Sequence, residues 1–234
     1  MIALKDILAL CRVSNLPTVW TNVLAAVVLS DVPFPFLDVV VLWVVLSLFY
    51  SAGMCLNDLV DAEIDKTDKP DRPIPSGRVT KSAALRLVVG LLLLPLLLLF
   101  LVYPDALLAG LILTGLIILY DLKHKSSALT VYVMAGCRLM VFVIGGMAVA
   151  GNLGSWVIAA GLLQFFYVIV LSLVARHENN RSDPFAVPVI PRMIAGISLL
   201  DGLMMSLGAN IWWLTAGLVG ALLTLGSQRY VRGD

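Results

Sequence analysis

Long apolar segments alternate with short polar ones along the whole chain. Eight of these segments are long enough to form membrane-embedded helices, at residues 15–30, 37–58, 82–102, 105–120, 128–150, 155–176, 187–208 and 210–228. About 20 apolar residues in helical conformation cross the hydrocarbon core of a bilayer. The pattern therefore predicts an all-α fold, a polytopic transmembrane helical bundle of about eight spanning helices, built as a single domain over residues 1–234.

Composition strengthens this prediction and limits the partners. Hydrophobic residues make up 60% of the chain and charged residues 13%, and the mean hydropathy is +0.99. Ordinary soluble domains carry roughly a quarter charged residues. The formal net charge of +1 gives no reason to expect nucleic acid as a partner. The high hydropathy predicts the lipid bilayer as the environment of the chain. The cysteines Cys11, Cys55 and Cys137 have no paired spacing, and we expect free, buried side chains.

Basic residues occur only in alternate loops. The loops at 31–36, 103–105, 151–154 and 209–210 contain no Lys or Arg. Of the 16 basic residues, 15 fall on the other side, and Arg138 lies inside a span. Because Lys and Arg concentrate in cytoplasmic loops, this bias predicts that both termini are cytoplasmic. We expect an integral multi-pass protein of a bacterial inner membrane, with its polar loops and active site facing the cytoplasm.

An acidic run follows the second apolar segment. If the helix continues through this run, Asn57, Asp61 and Asp65 share one face because they are four residues apart, and Asp58 falls beside Asp61, three residues away. Carboxylates this close repel one another unless a cation lies between them. We therefore expect this face to bind a divalent cation, Mg²⁺, and through it a polyphosphate.

Two further polar segments, 120–125 and 176–183, open on the same predicted side. With Arg72 from the loop after the acidic run, their candidate side chains are Tyr120, Lys125, Glu178, Arg181 and Asp183. Cationic groups can neutralise a leaving diphosphate, and further acids can hold metal. Charged residues beside a span are often plain interfacial anchors, and for 120–125 this alternative stays open.

Two ionisable residues are predicted to lie deep in the bundle. Arg138 and Asp201 each fall on the order of 15 Å from the nearer polar helix ends, where an unpaired charge costs several kcal/mol. One interpretation is that the two pair with each other. The other is that Arg138 faces a polar cavity that reaches down from the acidic face, and Thr18, Asn22 and Gln164 could line it.

These motifs resemble the UbiA superfamily of intramembrane prenyltransferases. The acidic run matches the family's first signature, Asn-Asp-x-x-Asp-x-x-x-Asp, at Asn57, Asp58, Asp61 and Asp65. Residues 71–77 resemble its Asp-Arg-Pro-x-x-x-Gly run, and residues 12–22 resemble its first helix. The resemblance covers essentially the whole chain. It implies a bundle of nine helices, Mg²⁺ bound between two acidic motifs, and cleavage of an isoprenyl diphosphate to an allylic cation.

The chain departs from this family pattern in three places. The second motif, normally Asp-x-x-x-Asp, is reduced to Glu178 and Asp183 with two asparagines between them. In the Tyr-x-x-x-Lys element, His124 stands four residues after Tyr120, and lysines flank it. The chain also has room for eight helices, so one is missing, most simply from the C-terminal end.

The function that the resemblance implies is a Mg²⁺-dependent transfer of an isoprenyl group from an isoprenyl diphosphate to a small acceptor, with aromatic compounds among the candidates. The implied catalytic residues are Asp58, Asp61 and Asp65, and the implied metal ligands are Asn57, Asp61, Asp65, Glu178 and Asp183. The implied substrate-binding residues are Asn22, Arg72, Tyr120, Lys125, Arg138 and Arg181. Two alternatives remain: a non-catalytic or transport protein on the same fold, and a terpene cyclase that needs no acceptor.

Overall fold

The computed structural model of the chain describes residues 3–123, 127, 129–179 and 188–230. Its α-helices are α1 (Leu4–Leu10), α2 (Leu16–Val28), α3 (Phe36–Val60), α4 (Ala62–Asp68), α5 (Lys81–Val102), α6 (Leu107–Lys123), α7 (Thr130–Ala150), α8 (Ser155–Asn179), α9 (Val189–Gly208) and α10 (Leu214–Ser227).

A helix occupies each of the eight predicted segments, which confirms the all-α bundle. Six of these helices, α3 and α5 to α9, are long and apolar enough to cross a membrane. The other two, α2 and α10, have 13 and 14 residues, and each is preceded by a 3₁₀ turn that lengthens it. Membrane crossing by α2 and α10 stays a prediction.

The predicted polar segments meet at one end of the bundle, which we call the polar end. Arg12 reaches Asp58 at the end of α3, and Asn57 beside it reaches Asp121 at the end of α6. Arg176, near the end of α8, donates to the backbone oxygen of Ser127. The common position of the described parts of these segments, which leave out 124–125 and 180–183, is thus confirmed. The side of the membrane that they face stays a prediction.

Aromatic side chains mark the opposite end. The rings of Phe34 and Trp213 lie 5.9 Å apart, and Trp156 packs against Gly208. Trp212 is largely exposed. Tryptophan is enriched where helices meet the membrane–water interface, so the aromatic side chains at this end fit such an interface.

The short helix α2 lies at the centre of the bundle. It contacts α3, α7, α9 and α10, and nine of its 13 residues are buried. A Cβ on Gly145 of α7 would lie 2.6 Å from the Cβ of Ala26, so the two helices approach closely. Small residues allow such approach in membranes, where packing replaces the hydrophobic effect as the force between helices.

The acidic run does not lie on one continuous helix, contrary to the sequence-based expectation. The chain bends at Asp61, where α3 ends and α4 begins. On a straight helix, Asp58 and Asp65 would be separated by about 10 Å along the axis. The bend brings both carboxylates to one nitrogen of Arg72, at 3.0 and 2.6 Å.

Close packing of α9 against α10 supplies a test of the fold. A Cβ on Gly217 would lie 2.6 Å from the backbone oxygen of Ser198 and 2.7 Å from the Cα of Gly202. We expect Gly217→Leu to lower the melting temperature of the detergent-solubilised protein, because overpacking costs about 1–3 kcal/mol. Gly115→Leu is the control, since Gly115 is exposed and a Cβ there meets nothing within 4 Å. Equal melting temperatures for the two variants would contradict the α9–α10 contact.

Candidate active site

Two arginines hold the acidic residues together. The Oδ1 atom of Asp58 accepts hydrogen bonds from Nη2 of Arg12 and from Nη1 of Arg72, both at 3.0 Å. The same Nη1 donates to Oδ2 of Asp65 at 2.6 Å. The side chains are 5% exposed at Asp58 and 8% at Asp65. The guanidinium charges offset the repulsion between these buried carboxylates, and we call the four residues the arginine-bridged cluster.

The backbone around Arg12 is unusual. Arg12 lies between α1 and the following 3₁₀ turn, with φ of 42° and ψ of 51°. This left-handed conformation is uncommon for a residue with a Cβ atom, and strained residues of this kind concentrate at functional sites. The preceding residue, Cys11, places its Sγ atom 3.7 Å from that of Cys55 on α3, which packs α1 against the site. All three cysteines are free, as expected.

Oxygen ligands from α3 and α6 face each other beside the arginine-bridged cluster. Asn57 accepts a hydrogen bond from Arg12 at 3.4 Å through Oδ1, and its Nδ2 atom donates to Asp121 at 3.3 Å. Asp61 is buried at the bend between α3 and α4. The first acidic signature thus forms a polar layer that joins three helices.

A cavity of about 210 Å³ lies next to this layer, between α2, α3, α6, α7, α8 and α9. Its walls are mostly apolar. The polar side chains that line it are Arg12, Asn15, Tyr50, Tyr120, Asp121, Cys137, Arg138 and Ser172. Asp121 is the one carboxylate among the described residues of this lining. Because Arg12 and Asp121 also contact Asn57, they connect the cavity to the acidic signature.

The predicted substrate-binding residues divide into four groups. Arg72 contacts the acids, whereas Tyr120 and Arg138 line the cavity. Asn22 is fully buried and lies behind Arg138. The remaining predicted positions, Lys125 and Arg181, lie outside the described residues.

The predicted second acidic motif is described only in part. Glu178 is half-buried in the last turn of α8, at the polar end. Asp183 lies outside the described residues. A role for this motif in binding metal stays a prediction.

Sequence reasoning did not identify Asp121 or Tyr50 as site residues, and it noted Arg12 only through the family resemblance. Asp121 carried a signal, because an acid in the last turn of a helix is unfavourable for the helix dipole. A tyrosine in the middle of an apolar segment, such as Tyr50, carries no such signal. Its position on the cavity depends on how α3 packs.

A chain of hydrogen bonds connects Arg138 to Asp201. Arg138 donates through Nη1 to Oδ1 of Asn22 at 2.8 Å and through Nη2 to Thr18 at 3.3 Å. Asn22 donates to both carboxylate oxygens of Asp201, at 2.8 and 2.7 Å. Gln164 donates to the same carboxylate at 2.8 Å. Direct pairing of Arg138 with Asp201 is therefore wrong, since Asn22 lies between them, and Arg138 faces the cavity.

The donor set of the acidic layer fits Mg²⁺ in its chemistry. Carboxylate and amide oxygens are hard ligands, and Asn57, Asp61 and Asp65 supply them. Within the described part of the chain, no three Asp, Glu, His or Cys side chains are placed to hold a metal ion by themselves. Mg²⁺ usually binds through one or two carboxylates together with substrate phosphates and water. The site therefore fits a metal that shares its ligands with a phosphate.

Glu63 on α4 forms exposed ion pairs, in contrast to the buried arginine-bridged cluster. Glu63 bonds to Lys66 and Lys81, and these lysines lower the pKa of Glu63 to about 2. All three side chains are more than half exposed. Exposed pairs contribute little to stability because water and salt screen them.

This contrast gives a prediction for stability. We expect Arg72→Met to lower the free energy of unfolding by about 3 kcal/mol, because removal of one partner leaves buried carboxylates uncompensated. Denaturant titration of the purified protein measures this change. Lys66→Met, on the exposed pair, should leave the titration midpoint unchanged. If the two variants shift the midpoint equally, Arg72 does not stabilise the cluster.

Comparison with protein families identifies the family of this chain. The model of the UbiA prenyltransferase family matches residues 15–234. Similar curated proteins are digeranylgeranylglyceryl phosphate synthases. The one from Sulfurisphaera tokodaii is 35% identical over 60% of this chain and 51% of its own length. The one from Methanoregula boonei is 30% identical over 75% of this chain and 66% of its own length. The chain spans about half to two thirds of the length of these relatives.

The fold resembles that of several solved structures, two of which illustrate the likeness. One comes from work on the biosynthesis of digeranylgeranylglyceryl phosphate synthase in membranes, with a TM-score of 0.67, 20% identity, and coverage of 98% of this chain and 94% of that chain. The other is a UbiA homolog from Archaeoglobus fulgidus bound to GPP and Mg²⁺, with a TM-score of 0.62, 14% identity, and coverage of 96% and 85%. The predicted UbiA-like fold is thus confirmed.

Proposed function

Because this chain belongs to the UbiA prenyltransferase family, we propose that it transfers an isoprenyl group from an isoprenyl diphosphate to an acceptor within the membrane. The observation that carries the proposal is the junction of the acidic signature with a largely apolar cavity. Arg12 and Asp121 line the cavity and also contact Asn57 of the signature, so a diphosphate bound at the acids would extend its hydrocarbon chain into the cavity.

The diphosphate would bind at the polar end. Arg12 and Arg72 already lie beside the acids there, and Lys125 and Arg181 are predicted to join them. Bound Mg²⁺ would supply positive charge against the diphosphate oxygens, held by Asn57, Asp61 and Asp65, with Glu178 and Asp183 as a second ligand set. Asp58, predicted with Asp61 and Asp65 as catalytic, would act by orienting the two arginines.

The reaction would break the bond between the allylic carbon and the diphosphate oxygen. The diphosphate leaves with the electron pair, and Arg12 and Arg72 stabilise its charge. An oxygen or carbon of the acceptor then forms a bond to the allylic carbon and releases a proton to solvent. The cavity walls, which include Val19, Phe49 and Leu113, would keep water from quenching the cation.

The chemical identity of the acceptor is a further part of the proposal. The names of the relatives favour a glyceryl phosphate that already carries one isoprenyl chain over the aromatic acceptors considered from the sequence. Tyr120 and Arg138 supply polar groups on the cavity wall for such a head group. We also propose that the polar end faces the cytoplasm, while the bacterial inner membrane stays a prediction.

The catalytic role of the acidic signature can be tested by mutation. We expect Asp61→Ala to reduce prenyl transfer by purified protein with Mg²⁺ about 100-fold or more, the loss typical when charge stabilisation is removed. The matched control is Asp68→Ala on the neighbouring helix α4, because Asp68 is exposed. It should retain transfer. Full turnover by a folded Asp61→Ala variant would refute the assignment.

The acceptor can be identified by product analysis. We expect mass spectrometry to detect a new prenyl ether when the protein receives an isoprenyl diphosphate and a prenylated glyceryl phosphate. Products with aromatic acceptors alone would refute the glyceryl phosphate proposal. A cyclic hydrocarbon formed without acceptor would indicate a terpene cyclase. Tight lipid binding without diphosphate release, for any chain length, would indicate a transport or other non-catalytic protein.

A further inference from the structure

We infer that Asp201 is a positioning residue that orients Arg138 for substrate through Asn22, although Asp201 is not part of the cavity lining. The inference rests on the proposed function, since it concerns how the cavity binds the acceptor. Asp201 lies on α9 and is 1% exposed, whereas Arg138 lies on α7 and lines the cavity. Asn22, on the central helix α2, joins the two.

The hydrogen bonds determine which way the amide of Asn22 points. Its nitrogen donates to both oxygens of Asp201, which can only accept when ionised. The amide oxygen of Asn22 must then point the other way, where Nη1 of Arg138 donates to it. If residue 201 could itself donate, Asn22 could turn over and present its own donors to the guanidinium. The carboxylate of Asp201 thus determines whether Arg138 has an acceptor at this position.

The guanidinium of Arg138 remains available to a ligand in this arrangement. It has five N–H donors, and its bonds to Asn22 and Thr18 use two nitrogens on the α2 side. Arg138 lies eight residues into α7, about 12 Å along the helix from Thr130 at the polar end. A diphosphate at the arginine-bridged cluster would therefore leave Arg138 to the other substrate. A phosphate or another oxygen-rich head group matches its remaining donors.

Gln164 fixes the far side of Asp201. Its Nε2 atom donates to Oδ1 of Asp201 and to the backbone oxygen of Ile197, both at 2.8 Å. Gln164 lies on α8 and is 1% exposed. The carboxylate of Asp201 is thus held by Gln164 of α8 on one side and by Asn22 of α2 on the other. A buried side chain with fixed partners retains one orientation, as precise binding sites require.

The alternative is that the same residues only hold α2, α8 and α9 together. Ser198 provides a control for that role. It lies one turn before Asp201 on α9, is fully buried, and accepts a hydrogen bond from Thr21 of α2 at 3.1 Å. No described hydrogen bond connects Ser198 with Arg138 or Asn22. Ser198→Ala therefore weakens the α2–α9 contact without turning Asn22.

The first test is steady-state kinetics of Asp201→Asn with each substrate varied in turn. We expect the KM for a prenylated glyceryl phosphate acceptor to rise about tenfold to a hundredfold, which corresponds to one lost hydrogen bond to a charged group. The KM for the isoprenyl diphosphate should stay unchanged. Ser198→Ala should leave both KM values unchanged. Equal rises in both KM values, or the same rise in Ser198→Ala, would overturn the inference.

The second test exchanges the two side chains in a double variant that combines Asn22→Asp with Asp201→Asn. The new carboxylate at position 22 can accept from Arg138 and from the new amide at position 201, whose oxygen can still accept from Gln164. We expect this double variant to recover the acceptor KM to within a fewfold of the parent protein. No recovery in a folded double variant would overturn the inference.

Gln164→Met is a milder variant, because it leaves Asn22 and Asp201 in place. We expect it to raise the acceptor KM a fewfold.

A third measurement separates this inference from the proposed function. Melting temperatures of Asp201→Asn, Arg138→Met and their combination should be non-additive, because each single change breaks the same chain of bonds. Non-additivity without any prenyl transfer would support the positioning chain and reject the proposed reaction. Additive melting temperatures, with transfer intact and the acceptor KM unaffected by Asp201→Asn, would reject the positioning chain alone.

Discussion

Charge compensation inside an apolar helix bundle is the constraint on which this structure depends. Asp58 and Asp65 keep less than a tenth of their surface exposed, yet Asp58 lies in the last turn of a helix that is suited to hydrocarbon, and Asp65 lies just beyond that helix. Ionised carboxylates reach such positions only with cations and hydrogen bonds around them. Arg72 meets both acids with a single nitrogen, and Arg12 meets Asp58 from the other side. The bend at Asp61 makes this shared contact possible.

The same constraint is met differently deeper in the bundle. Asp201 is an acid and Arg138 a base, but the two do not pair directly, because the neutral amide of Asn22 lies between them. The intervening amide compensates part of the charge and leaves donors of Arg138 toward the cavity. The arginine-bridged cluster reaches the cavity through Arg12, and this chain of bonds reaches the same cavity through Arg138.

The sequence predicted more of the fold than of the site. The eight helices followed from apolar length, and the common polar end followed from the distribution of Lys and Arg. Candidate residues inside one motif, such as Asn57 and Asp65, were identified because their spacing is local. Arg12 and Asp58 are 46 residues apart in the chain, and no local pattern indicates that they meet. The contact of Asp121 with Asn57, which lies 64 residues away, is equally absent from any local pattern, although the position of Asp121 at a helix end was a signal.

The sequence by itself determined the membrane-embedded helices and the acidic signature, because hydrophobicity and charge act through composition and short-range spacing. It could also place Arg138 and Asp201 inside spans. Only the tertiary structure decided that Asn22 separates these two charges, that Arg72 bridges Asp58 and Asp65, and that a cavity opens beside them. Those outcomes depend on how helices distant in sequence turn their faces toward one another. Side-chain packing between helices sets that rotation, and the pattern along any single helix leaves it open.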